Sequence, residues 1–298
     1  VLELAKKLRW PVFADILSQA RFQMTEEQIL HFDTLLQNEP LTAETIIHFG
    51  ERITAKSILG WKAKAHHIHV SPWKELQDPS RCLTKRVLAD ITAFCASAVI
   101  EPAPESWLAS WKEKDTIEKN SPVDGQQLAF QTLASSFQPN WSLYLGSSMP
   151  IRNADRFFFP SSKSFKGRIF SNRGLSGIDG NIACAAGLTE GLDGPLIAWI
   201  GDQAALYDLN SLPLLLCTKH PVILVISNNF GGGIFSHLPI AKATEHFERL
   251  WKNPHSWHFA DAAKMFKIPY QQTQSTEELA SFFHQMQNTS IMIEWVSP

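Results

Sequence analysis

Two apolar runs, Leu196–Ile200 and Val222–Ile226, decide most of what this chain can fold into. Both are short, branched-aliphatic and bounded by turn-forming residues, the pattern of a buried strand. The first ends in Gly201-Asp202. The second ends in Asn228-Asn229, followed by Phe230 and three glycines, Gly231, Gly232 and Gly233. Between them Ala204–Cys217 reads as a helix, with Pro213 expected to bend it or split it in two. A strand, helix and strand of this length make a right-handed parallel crossover. Asp202 and Asn229 then stand at the carboxyl ends of two parallel strands, where open α/β sheets place their ligands.

Those residue types in that place suit a divalent cation and a diphosphate. Asp202 offers a carboxylate, Asn229 an amide oxygen, and the backbone at Gly231 a carbonyl oxygen. Three protein oxygens leave room on an octahedral Mg²⁺ (or Mn²⁺) for two phosphate oxygens and a water. The glycines admit close approach of backbone and ligand. Helix N-termini after Gly201-Asp202 and after Gly233 would turn N–H groups toward the same anion. The alternative is a strand-end turn with local Asx capping and an acidic helix start.

The same alternation of short apolar runs with helical patterns continues along the 298 residues. It argues for α/β architecture, two doubly wound parallel-sheet domains. Strands are expected at Trp10–Ala14, Thr45–Phe49, His67–Val70, Ser142–Leu145 and around Arg168–Ser171, and helices at Glu26–Leu36, Thr54–Lys62, Thr84–Ala98, Gln126–Ser136 and Ile182–Leu188. The charged stretch 107–127, closing in Ser-Pro-Val-Asp-Gly, marks a seam near residue 115. Residues 1–115 and 116–298 are the expected domains.

A hydrophobic content of 44% supplies a sizeable core, and a net charge of −2 gives no reason to expect nucleic acid or an anionic membrane as partner. No apolar run approaches the roughly 18 residues a membrane-spanning helix needs. Cys82, Cys95, Cys184 and Cys217 lie far apart without paired spacing, which favours reduced, buried thiols and a cytoplasmic setting.

The order Gly-Asp, crossover, Asn-Asn resembles the cofactor motif of thiamine-diphosphate enzymes. The segments "SNRGLSGIDG" (171–180), "GDQAALYDLN" (201–210) and "NNFGGGIFSHLP" (228–239) are similar to the 2-succinyl-5-enolpyruvyl-6-hydroxy-3-cyclohexene-1-carboxylate synthase family. "WPVFADILSQARF" (10–22) is similar to that family's middle domain. The resemblance implies thiamine diphosphate and Mg²⁺ as cofactors, with Asp202, Asn229 and the Gly231 carbonyl on the metal. It implies that Gly232, Gly233 and Ile234, with Gly201, line the cofactor, that Ile178 props it into a bent form, and that the Ser176 backbone faces its pyrimidine; Phe235, at the same site, reads as a wall of the substrate pocket or as plain core. Arg173, Arg152 and Ser148 fall where the family receives substrate carboxylates. Arg173 has its own support: it follows a strand, beside Asn172 and Gly174, and a guanidinium fork suits a carboxylate.

The implied reaction is decarboxylation of 2-oxoglutarate and conjugate addition of the succinyl unit to isochorismate, in menaquinone or phylloquinone biosynthesis, by a homodimer or homotetramer. The family also uses a glutamate from a separate N-terminal domain of the neighbouring subunit, and no residue here matches it. The opening "VLELAKKLRW" has neither an initiator Met nor a helix cap. The expectation is therefore a fragment comprising middle and diphosphate-binding domains, inactive alone. Rival readings are another thiamine-diphosphate decarboxylase or carboligase, and a non-catalytic diphosphate-binding module. Gln203 stands where many relatives have glycine, and Phe230 is bulkier than the motif leads one to expect.

Other features weigh less. In "AHHIH" (65–69), His67 and His69 alternate as on a strand face with no carboxylate partner, which reads as strand rather than metal site. Trp107 and Trp111, one helical turn apart, read as packing. Glu245, Glu248 and Arg249 read as a solvated face. The segment 153–167 reads as a site cover or a plain loop.

Overall fold

The computed structural model describes all residues except 39–40, 76–77, 120–122, 124, 161–164, 175–176, 286–287 and 297–298, and the side chain of 285. The chain divides into two compact units, Val1–Pro122 and Val123–Pro298.

In the first unit, α1 (Leu2–Leu8) and α2 (Phe32–Asn38) precede β1 (Thr45–Phe49), α3 (Ser57–Lys62), β2 (His66–Ser71), β3 (Lys85–Leu88), α4 (Ile91–Ser97) and α5 (Glu105–Lys119). The three strands form a parallel sheet in the order β1-β2-β3. Two expectations fail here. Trp10–Ala14 forms a single bridge, Val12 to Gln28, and no strand; Pro11 withholds a backbone donor there. Thr84–Ala98 is a strand followed by a helix, because Asp90 accepts from the Ala93 N–H at 2.8 Å and starts α4 afresh. The strand β3 lies at the sheet edge with exposed Lys85, Arg86 and Leu88, so its sequence lacks a buried-strand signature.

Aromatic residues hold this unit together. Trp111 is fully buried, edge-on to Phe13 and Trp61 at 5.2 and 5.7 Å, with Trp107 at 6.3 Å and Phe13 stacked on Phe32. The tryptophan pair is thus packing. Beside the sheet, Lys62 Nζ lies 2.9 Å from His48 Nδ1. Burial pushes Lys62 down to about 8, with Cys82 and Asp78 opposing it. Burial, helped by Lys62, pushes His48 down to about 3.

The second unit runs α6 (Gly125–Ser136), β4 (Ser142–Leu145), α7 (Met149–Phe157), β5 (Ile169–Phe170), α8 (Asn181–Leu188), β6 (Leu196–Gly201), α9 (Asp202–Leu206), β7 (Val222–Asn228), α10 (Ala260–Met265), β8 (Tyr270–Thr273), α11 (Thr276–Gln285) and β9 (Ile291–Val296). All six strands pair in parallel, in the order β5-β4-β6-β7-β9-β8. The strands β4, β6, β7 and β9 are buried almost throughout, as a sheet covered on both faces requires. The order reverses between β4 and β6, which opens a crevice at their carboxyl ends. The helix expected over 204–217 is split: α9 stops at Leu206, and a 3₁₀ stretch, Leu209–Leu216, carries Pro213.

The cysteines depart from expectation in burial. All four are free, but Cys82, Cys95 and Cys184 are half-buried and Cys217 is exposed. Among the described residues no helix is long and apolar enough to cross a membrane.

Candidate functional site

The carboxyl ends of β5, β4, β6 and β7, neighbours in the sheet, carry in turn Arg173, Ser148 with Arg152, Asp202, and Asn229 with Gly231. Residues from four distant parts of the sequence therefore share one edge of one sheet. Ser176 lies outside the described residues.

Asp202 is the centre of this edge and is buried. Its Oδ1 accepts from the Gln203 N–H at 2.6 Å, and its Oδ2 from the Gly231 and Asn229 N–H groups at 2.9 and 3.2 Å. Burial pushes its carboxyl up, opposed by the Gly231 and Gln203 hydrogen bonds, by His255 and by Asn229. His255 Nε2 stands 3.3 Å from Oδ2, with both side chains shielded from water.

The paired asparagines divide two tasks. Asn228 is fully buried and structural: its amide donates to Glu294 Oε1 at 2.8 Å and to the Trp257 carbonyl at 2.9 Å, and its oxygen accepts from Phe230 N–H at 3.1 Å. Asn229 faces the site. With its nitrogen turned inward, its amide donates to the Gly231 carbonyl at 2.6 Å and to Asp202 Oδ2 at 3.1 Å. With its oxygen turned inward, three oxygens converge at those spacings without a proton between them. That second arrangement is tenable around a cation, so the donor set fits a hard divalent metal.

The glycine loop is tight for identifiable reasons. Gly231 has φ +152°, and a Cβ there would meet the Lys252 carbonyl at 2.7 Å. A Cβ on Gly233 would meet Asn229 Nδ2 at 2.4 Å. Gly232 donates to the Lys252 carbonyl at 2.6 Å and lies under the Phe235 ring. Phe235, half-buried, meets Trp251 edge-on at 6.1 Å. Phe230 adopts φ +58°, costly for a bulky side chain. Its carbonyl accepts from His255 N–H at 3.1 Å, and its ring meets His255 and His258 at 6.0 and 5.3 Å. Gln203 turns away from Asp202 and reaches Asn253, its amide donating to that carbonyl at 3.3 Å.

The two helix N-termini expected to face an anion are short. The helix α9 is five residues long and its Gln203 N–H already serves Asp202, while the stretch after Gly233 is a 3₁₀ turn. The start of α8 is capped by Asp208 Oδ2, which accepts from Ile182 and Ala183 N–H groups at 2.6 and 3.2 Å. Just before α8, Ile178 is 39% exposed, and its carbonyl accepts from Asn181 Nδ2 at 2.8 Å. Asn181 is itself held by the Tyr144 hydroxyl at 2.7 Å.

Ser148 begins α7 at φ +77°, and its carbonyl accepts from the Arg152 guanidinium. The segment 153–167 is therefore partly the end of α7, which runs to Phe157. The sequence reading missed His255, Asp208, Asn181 and Glu294. None carries a local signal, because each reaches its partner only across the fold.

Comparison with known proteins finds similarity to one group of enzymes. Residues 1–136 match the family model described as "Middle domain of thiamine pyrophosphate". The chain is 35% identical, over 91% of its length, to the 2-succinyl-5-enolpyruvyl-6-hydroxy-3-cyclohexene-1-carboxylate synthase of Aeromonas salmonicida (strain A449). Proteins of the same name from Chlorobium phaeobacteroides (strain BS1) and Oceanobacillus iheyensis are 32% and 31% identical over 97% and 96% of the chain. The likeness is to thiamine-diphosphate enzymes. It covers 48%, 52% and 52% of these three relatives, about half their length. The family match runs through the first unit and into α6 of the second.

Proposed function

We propose that this chain supplies the middle and diphosphate-binding domains of a thiamine-diphosphate-dependent synthase that decarboxylates 2-oxoglutarate and joins the succinyl unit to isochorismate, in the cytoplasm and in quinone biosynthesis. The observation that carries this reading is the convergence of Asp202, Asn229 and the Gly231 carbonyl at the carboxyl ends of β6 and β7. Bound thiamine diphosphate supplies the electron sink that lets a 2-oxo acid lose carbon dioxide.

Asp202, Asn229 and Gly231 would hold Mg²⁺ against the diphosphate, with Gly201, Gly232, Gly233 and Ile234 leaving room for it and Phe235 walling its outer side. Ile178, exposed and pinned through its carbonyl, would prop the cofactor, and the resemblance assigns the Ser176 backbone to its pyrimidine. Arg173, on the loop after β5, and Arg152, in the helix α7 that follows β4, would orient substrate carboxylates, and Ser148 would hydrogen-bond beside them. The similarity to the synthases extends to their whole reaction only in the complete protein, which is expected to act as a homodimer or homotetramer.

The test is carbon dioxide release from 2-oxoglutarate by the full-length protein with thiamine diphosphate and Mg²⁺. Release that disappears in Asp202→Ala supports the reading. Release from pyruvate but not from 2-oxoglutarate would replace it with another carboligase, and cofactor binding without any release would leave a binding module.

A further inference from the structure

The first unit gathers a second set of ligating side chains, unrelated to the carboxylate-and-amide edge. His67, the second residue of β2, is 1% exposed. Its Nδ1 lies 3.7 Å from Cys82 Sγ, and that sulfur lies 3.9 Å from Asp78 Oδ1. The three ligand atoms all fall within 4.8 Å of one another. The sequence argument against a metal at "AHHIH" was the lack of a carboxylate on the strand. The fold brings one in from the loop that follows it.

That loop is held by its own hydrogen bonds. Asp78 Oδ1 accepts from the Cys82 N–H at 3.2 Å and Oδ2 from the Leu83 N–H at 3.0 Å. His67 N–H donates to Thr84 Oγ1 at 3.0 Å, and Thr84 N–H returns to the His67 carbonyl at 2.9 Å. Imidazole, thiol and carboxylate are therefore brought together by backbone bonds, with Ser80 Oγ 3.0 Å from the sulfur.

The spacing discriminates among ions. Zinc binds sulfur at about 2.3 Å and nitrogen or oxygen at about 2.0–2.2 Å in tetrahedral geometry, which sets sulfur-to-nitrogen and sulfur-to-oxygen edges near 3.6 Å. The observed edges of 3.7 and 3.9 Å need a contraction of a few tenths of an ångström at most. A sulfur and an imidazole also disfavour Mg²⁺ and Ca²⁺, which take oxygen. A thiolate and a carboxylate would offset a dication in this half-buried setting. Lys62, which interacts electrostatically with Cys82 and Asp78, directs its hydrogen bond to His48.

We propose that His67 Nδ1, Asp78 Oδ1 and Cys82 Sγ form a binding site for a divalent cation of the zinc class, with a fourth position open to water. On binding, the Cys82 S–H bond breaks, its proton leaves to solvent and the sulfur bonds the metal. No redox change takes place.

The test uses the full-length protein, prepared without a histidine tag and stripped with chelator, titrated with Co²⁺ and then Zn²⁺. One equivalent of Co²⁺ should produce a thiolate-to-cobalt absorption band with tetrahedral ligand-field bands, and Zn²⁺ should erase both while Mg²⁺ leaves them. Cys82→Ser should abolish the thiolate band, and His67→Gln and Asp78→Asn should each weaken binding at least about tenfold. Circular dichroism identifies variants that fold, and Asp78→Asn, which keeps one carbonyl oxygen for the loop, guards against loss of structure. A folded wild type with no thiolate band overturns the proposal, as does a band that survives Cys82→Ser. The readout involves neither thiamine diphosphate nor turnover, so its failure leaves the cofactor reading untouched.

Discussion

The side-chain amide of Asn229 meets the carbonyl oxygen of Gly231 at 2.6 Å, in a position where either its nitrogen or its oxygen can point inward. The nitrogen makes two hydrogen bonds, and the oxygen would complete the proposed cation site. Asn229→Asp removes the first option. The variant should be destabilised by about 1–3 kcal/mol in chelator, because an oxygen then faces oxygens with no donor. Mg²⁺ should restore most of that loss, as thermal denaturation would show. Equal melting with and without Mg²⁺ would count against a metal at this position.

Gly233→Ala should separate the loop from the rest of the fold. Its Cβ would press on Asn229 Nδ2, a side-chain end that can move, so global stability should fall by no more than about 1–2 kcal/mol. The displaced amide should cost at least tenfold in Mg²⁺-dependent thiamine diphosphate affinity, measured by calorimetry on the full-length protein. Unchanged affinity would mean Asn229 is not a ligand.

Glu294 gives a pH signature. It is fully buried on β9, and burial alone would raise its carboxyl. Donors from Phe259 N–H, the Tyr270 hydroxyl, Asn228 and His258, all at 2.7–2.8 Å, hold it below the usual value instead. A carboxyl depressed by folding contributes stability that is whole above its unfolded value, near 4.5, and is lost as pH falls through the lower folded value. Glu294→Gln should therefore cost about 3 kcal/mol at pH 7, since it turns an amide N–H toward donors. The wild-type advantage should shrink below about pH 4.5, seen in urea melts across pH. A pH-independent difference would argue that Glu294 acts through packing alone.

Arg173 and Arg152 are open to a kinetic split. If each receives a substrate carboxylate, Arg173→Lys and Arg152→Lys should keep charge but lose the bidentate fork, raising KM for one substrate about tenfold or more. An effect on kcat alone, with both KM values unchanged, would move the arginines out of substrate binding.

Much of the second unit was legible because its strands are buried on both faces and so read as plain apolar runs. The spacing from Asp202 to Asn229 needed only one crossover to interpret. The first unit was harder. The strand β3 is an exposed edge whose Lys85 and Arg86 mimic a helix surface, and Pro11 interrupts a run that otherwise resembles a strand. His255 was invisible for a different reason: it reaches Asp202 through a bond from its backbone to Phe230. Asp78 likewise meets His67 only because the loop closes on the strand, and no sequence period encodes a closure. The meaning of two adjacent asparagines emerged only with Glu294 beneath the first of them.

Asp202 accepts hydrogen bonds from the backbone of the very loop that presents its fellow ligands. One carboxylate thus shapes the loop beside it, whatever else it binds. The protein's own hydrogen bonds specify the glycine loop, so a side chain far from the loop in sequence sets its shape. Substitutions in the segments after β4 and β5 can therefore accumulate without reaching the bonds by which Asp202 holds this loop.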